Sequence, residues 1–172
     1  MANKPSRRKV SQKAVESGPA MHLLAFDSDD LAIISAHLQD AITRVADIAY
    51  VPRDRRFALV TSRFDWTAAE GGALQRRLSG LHFDHVLSVQ RSGFGQDKPD
   101  VVLNLLSIMF EAAEAPAGRI TLLFSAGAAI RLDVECIDAQ LNDMTSSWRA
   151  RGRPDHRLQQ DENLPDDGIE SK

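Results

Sequence analysis

The spacing of apolar residues changes several times between Met21 and Asp143, and each change marks a predicted element. Before that stretch there is almost no periodicity. Lys4, Arg7, Arg8, Lys9 and Lys13 stand among Ser, Asn and Pro, with Val10, Val15 and a few Ala as apolar content. Such a segment cannot offset its own ordering entropy, so residues 1–20 are expected to form a disordered basic arm. Met21 stands just before the first apolar run, and the residues ahead of it read either as an upstream extension or as a loose arm.

Asp27, Ser28, Asp29 and Asp30 bring oxygens and negative charge to the place where a helix N-terminus has free N–H groups. Leu31, Ile34, Leu38, Ala41 and Ile42 then fall on one stripe at helical pitch, which predicts a helix of about 12 to 14 residues. Ile33 lies off the stripe and His37 borders it, so the helix should pack on a broad surface such as a sheet.

Beyond it the period falls to two. Ala46, Ile48 and Tyr50 alternate with Val45, Asp47 and Ala49; Pro52 to Arg55 supplies a turn; Phe57, Leu59 and Thr61 alternate with Ala58, Val60 and Ser62. This predicts a hairpin with a basic tip. Thr67 to Gly80 reads as a connection with at most one or two helical turns. A third strand follows, with Leu81, Phe83, Leu87 and Val89 on one face and His82, Asp84, Val86, Ser88 and Gln90 on the other. Ser92 to Asp100 is a polar turn region. The nearly continuous apolar run Val101 to Glu111 reads as a central strand covered on both faces, with a short buried helix as the alternative. In the last hairpin Ile120, Leu122 and Phe124 lead through Ser125, Ala126 and Gly127 to Ile130, Leu132, Val134 and Cys136, which alternate with Arg131, Asp133 and Glu135. From Arg149 onward the chain is polar, and 151–172 is expected to be a disordered tail.

The fold expected over residues 21–150 is a single α+β domain. It has an antiparallel sheet of about six strands, in the form of a sheet, partly closed barrel or sandwich, with one N-terminal helix packed on it. A two-layer fold with a second helix at Val101 to Ala112 is the alternative.

Composition narrows the function classes. At 172 residues, with 43% hydrophobic and 26% charged residues, the chain has ordinary globular usage. The formal net charge of −3 gives no global attraction to a phosphate backbone, which argues against nucleic acid as the default partner. The single cysteine, Cys136, cannot make an internal disulfide, so a reducing, cytoplasmic setting is expected. Val101 to Phe110 is too short and too interrupted for a membrane span, and no secretory leader is visible.

The segments Asp30 to Ala41, Arg56 to Trp66, Gly80 to Val89 and Gly127 to Asp143 together resemble a bacterial family catalogued only as domain of unknown function 2948. The resemblance runs from about Met21 to Arg153 and rests on core and turn positions rather than a short motif. It implies a small stand-alone bacterial protein without an assigned activity, and it brings no catalytic or ligand-binding residues.

Candidate chemistry is sparse. His82, Asp84 and Ser88 share a predicted strand face, but 82 and 88 are about 20 Å apart on an extended strand, too far for a triad. His82 and His85 would point to opposite faces of that strand, and His22, His37 and His156 have no ligand-spaced partner, so no metal is expected. Asp133 and Glu135 lie about 7 Å apart, as two glycosidase acids could, yet beside Arg131 they read as a charged outer stripe. Cys136 reads as a small buried hydrophobe, and Gly71, Gly72, Gly93 and Gly95 as loop punctuation matching no phosphate-binding fingerprint. No cofactor is called for.

The arginines stand out. Arg53, Arg55 and Arg56 crowd one hairpin tip, Arg63 follows on the returning strand, and Arg76 and Arg77 lie in the next connection. With Phe64 and Trp66 they form a candidate contact surface for an acidic macromolecular partner, since arginine and aromatic residues anchor interfaces. The expected function is therefore a non-catalytic binding or regulatory module. Two alternatives stay open: an enzyme or small-ligand protein whose site assembles only in three dimensions, and a nucleic-acid binder using the basic arm and the arginine loops.

Overall fold

The computed structural model describes residues 19–72, 74–144 and 148–149. The arm expected at 1–20 lies outside the described residues as far as residue 18, and the tail expected at 151–172 lies outside them entirely.

Helix α1 spans Ser28–His37. Asp27 caps it, its carboxylate accepting a 2.8 Å hydrogen bond from the Asp30 amide, while Asp30 accepts in return from the Phe26 amide. Leu31, Ile34, Leu38 and Ala41 are buried as the stripe predicts. The helix is shorter than expected because Asp40 turns the chain through the left-handed region at φ 61°, which sends Ile42 into a strand.

Eleven strands form one antiparallel sheet among the described residues: β1 (His22–Ala25), β2 (Ile42–Arg44), β3 (Ile48–Val51), β4 (Arg56–Phe64), β5 (Gln75–Phe83), β6 (Val86–Ser92), β7 (Val102–Ala112), β8 (Gly118–Phe124), β9 (Ala129–Val134), β10 (Ala139–Asp143) and β11 (Trp148–Arg149). The order is β1-β10-β5-β4-β2-β7-β8-β9-β6, with β3 added to β4 and β11 to β5, and the path does not close on itself. A second short helix, α2 (Trp66–Glu70), joins β4 to β5.

The antiparallel, sheet-dominated architecture matches the expectation, but the count of about six strands is too low. β1, β2, β10 and β11, which span only two to five residues each, have no counterpart among the strands expected from sequence. Val45–Asp47 is a helical turn rather than the start of a strand. The predicted strand from Leu81 to Gln90 is two strands, broken at Asp84 and His85, where His85 adopts φ 58°. The break turns the side chains over, so Val86 is fully buried and Leu87 is 51% exposed. β7 is a strand, as read, but one face is open: Leu103, Leu105 and Ile108 are buried while Val102 and Met109 are exposed. A register shift between Leu105 and Ser107 moves the buried set from odd to even numbers, which is why the run looks continuous in sequence.

The last hairpin stands as read up to Val134, which is buried. Cys136 is different. β9 ends at Val134, Ile137 fills the core position, and Cys136 is left half-buried. Gly93 serves the close approach of two loops: at φ +81°, a Cβ there would lie 2.7 Å from the Ala128 Cα.

The core lies between α1 and the inner face of the sheet, with Phe57, Leu81, Phe83, Phe124, Ile130 and Leu132 among its buried members. Each such side chain stabilises the fold by roughly 1.5–3 kcal/mol through burial. No described helix is long and apolar enough to cross a membrane.

Candidate functional site

The structure divides the predicted arginine surface into two groups. Arg53, Arg55 and Arg56 are exposed at the β3–β4 tip, where Arg55 adopts φ 49°. Arg63, Phe64 and Trp66 lie at the other end of β4, roughly 26 Å away at strand rise. There Arg63 and Phe64 are 1% and 0% exposed, and Phe64 packs edge-on against half-buried Trp66 with ring centroids 4.6 Å apart. Arg63 and Phe64 belong to the interior, because β4 directs Arg63 to the inner face while Phe64 is covered by Trp66.

At the tip, two of the three arginines already have carboxylate partners. Arg55 Nη1 lies 2.7 Å from Glu135 Oε1, and Arg56 makes two hydrogen bonds to Asp84 of 2.6 and 3.0 Å. The Arg56 hydrogen bond holds the Asp84 carboxyl below its usual pKa, and Asp84 in turn raises that of Arg56. The Arg55 carbonyl accepts from the Val86 amide, and the Tyr50 hydroxyl donates to the carbonyls of Val86 or Leu87. The tip thus clasps the edge strand β6. The charges that look surplus in sequence are paired with carboxylates of the same chain.

The inner face of β4, β5 and β10 carries the feature sequence reasoning missed. Asp143 has a fully buried side chain and accepts from Arg63 Nε and Nη2 at 2.9 and 2.7 Å, from Ser79 Oγ at 2.7 Å and from the Met21 amide at 2.9 Å. Beside it, Arg77 donates through Nε to Asp65 at 2.8 Å, and Asp65 also caps α2 through the Ala68 amide. Burial alone would raise the pKa of Asp143, but hydrogen bonds from Arg63, Met21 and Ser79 outweigh it and the net shift is downward. Asp65 behaves alike: burial is outweighed by bonds from Ala68 and Arg77 and by the two arginine charges. His37, at the end of α1, has its pKa lowered by burial and then by the Arg63 charge, against the opposing pull of Asp65 and Asp143.

This cluster joins β4, β5 and β10 to the start of α2 and to the residue ahead of β1. A polar residue every second position from Gln75 to Ser79 is the one sequence signal that could have revealed it.

The outer face of the same strands bears a groove of about 360 Å³. Outward positions of an exposed sheet ordinarily hold long polar side chains. Here Ala49 of β3, Ala58 and Val60 of β4, and Gly80 of β5 leave a low floor, bounded by Asp47, His82, Asn142 and Met144. The Met144 sulfur lies 3.4 Å from where a Gly80 Cβ would stand. Pairing sets Ala49 opposite Ala58, Val60 opposite Gly80 and Gly80 opposite Asn142, so the groove crosses four strands. That is about 14 Å at ordinary strand spacing.

Other sequence candidates are scattered. His82 Nε2 is 3.7 Å from Asp84, while Ser88 donates instead to Asp133 at 2.6 Å. His85 lies between Glu135 and Asp138 at 3.6 and 3.5 Å. Among the described residues no group of His, Cys, Asp and Glu is arranged to hold a metal ion. Burial, followed by the charges of Asp138 and Glu135, pushes the Cys136 thiol pKa up, away from a reactive thiolate.

No curated protein and no solved structure matches the chain. One family model does, over residues 21–156, and the chain belongs to that family, described as Protein of unknown function (DUF2948).

Proposed function

We propose that this protein is a non-catalytic binding module that holds an apolar group in the groove over Gly80. The observation that carries the reading is the run of small side chains, Ala49, Ala58 and Gly80, on a sheet face where solvation would favour long polar ones. The volume falls at the lower end of the range for small-ligand sites, and the polar groups sit at its margins. The arginine tip supports a partner surface less well, because Arg55 and Arg56 are paired within the chain.

Titration with 8-anilinonaphthalene-1-sulfonate tests the reading. The wild-type chain should enhance the dye's fluorescence saturably. Gly80→Leu should abolish the signal at an unchanged melting temperature, because a Cβ added at this outward position meets only the flexible end of Met144. Equal dye binding by the two proteins would overturn the groove as the site.

A further inference from the structure

Resting on that reading, we propose that the groove selects a ligand with an apolar body and an amine head, with the head at Asp47. The groove contains one carboxylate, Asp47, whose Oδ2 takes a 3.2 Å bond from Arg44 Nε. No hydrogen bond is made by its other oxygen among the described residues. The Arg44–Asp47 pair is open to water, at 57% and 35% side-chain exposure, so it is weak enough for a ligand ammonium to share the carboxylate. Asn142 and His82 bound the groove at the β5–β10 side, and the rest of its described lining apart from Asp47 is apolar side chains and the bare backbone of Gly80.

An anionic head finds no arginine or lysine among the described residues that line the groove. A neutral ligand would leave the unused oxygen of Asp47 to water, whereas an amine donates to it. A second copy of this face is a poor occupant, because two concave surfaces laid together enclose a void rather than bury area.

The test uses the full chain and three probes of equal chain length: hexylamine, 1-hexanol and hexanoate, followed by amide shifts at Ala58 and Gly80. Hexylamine should bind about threefold to fivefold more tightly than 1-hexanol, the scale of one exposed charge pair, and hexanoate should bind least. Asp47→Asn should bring hexylamine to the affinity of 1-hexanol and leave 1-hexanol unchanged, while Gly80→Leu should remove both. If the wild type shows no amine preference, or if Asp47→Asn retains it, the amine assignment falls and the apolar groove stands. If neither hexylamine nor 1-hexanol shifts these amides, the proposed function falls with it.

Discussion

The inner face of β4, β5 and β10 has two halves built on the same strands with the same alternation, and they are held by opposite chemistry. Toward the β3–β4 tip the inward residues are Phe57, Leu59, Leu81, Phe83 and Leu141, all at or below 2% exposure. Toward α2 they are Thr61, Arg63, Gln75, Arg77, Ser79 and Asp143, all comparably enclosed at the side chain. The apolar half can shrink or swell by a methyl group and remain a core. The ionic half depends on the presence of each partner, because a charge left alone in the interior costs far more than the pair contributes. One sheet face therefore carries a tolerant region next to an intolerant one.

Removing one partner should give the largest contrast. Asp143→Leu leaves the Arg63 guanidinium buried without its acceptor, and we expect a loss of about 3–5 kcal/mol in chemical unfolding. Leu81→Ala in the other half, a cavity mutation, should cost about 2–5 kcal/mol. The two differ in what rescues them. Adding Arg63→Met to Asp143→Leu should recover more than half of the loss, since a matched apolar pair avoids the stranded charge, and no second substitution at a charged site should rescue Leu81→Ala. A double variant no more stable than Asp143→Leu alone would show that Ser79 and the Met21 amide, not Arg63, are what Asp143 chiefly satisfies.

The halves should also separate by pH. The folded pKa values of Asp143 and Asp65 lie below that of an unfolded Asp, about 3.9. Their contribution is complete above that value and is lost as pH falls through the folded ones. His37 acts earlier. Its folded pKa is below 6.5, so the unfolded chain takes up the proton first, and stability declines from about pH 6.5 downward until the folded value is passed. A stability profile should thus show two acid limbs. His37→Gln should flatten the upper limb, below about pH 6.5, and leave the lower one in place. An upper limb that survives His37→Gln would assign it to another group.

The apolar half was legible in the sequence and the ionic half was not, for one physical reason. Alternation reveals a strand when the inward residues are apolar, as from Phe57 to Thr61 and from Ile120 to Phe124. From Gln75 to Ser79 the inward residues are polar, so the first half of β5 reads as a connection, and Arg63 and Arg77 read as surface charge. Asp143, the partner of Arg63, lies 80 residues from it in the chain, and no local pattern links them. The groove was hidden differently. Ala49, Ala58 and Gly80 are unremarkable singly and become a floor only when β3, β4 and β5 lie side by side.

The smallest effect sharpens the comparison from outside. Arg55 and Glu135 form the same kind of pair as Arg63 and Asp143, at the same 2.7 Å closest approach, but with 55% and 45% of their side chains exposed. Water solvates either partner when the other is removed, so the stranded-charge penalty disappears and only a screened attraction is lost. Glu135→Gln should therefore change unfolding free energy by under about 0.5 kcal/mol, and 0.5 M salt should erase even that. The backbone bond from the Val86 amide to the Arg55 carbonyl stays in place in the variant, so the clasp on β6 should persist as slow amide exchange at Val86. A loss above about 2 kcal/mol, or fast exchange at Val86, would mean that the tip pair holds the sheet edge by itself, and that exposure is not what separates it from Arg63 and Asp143.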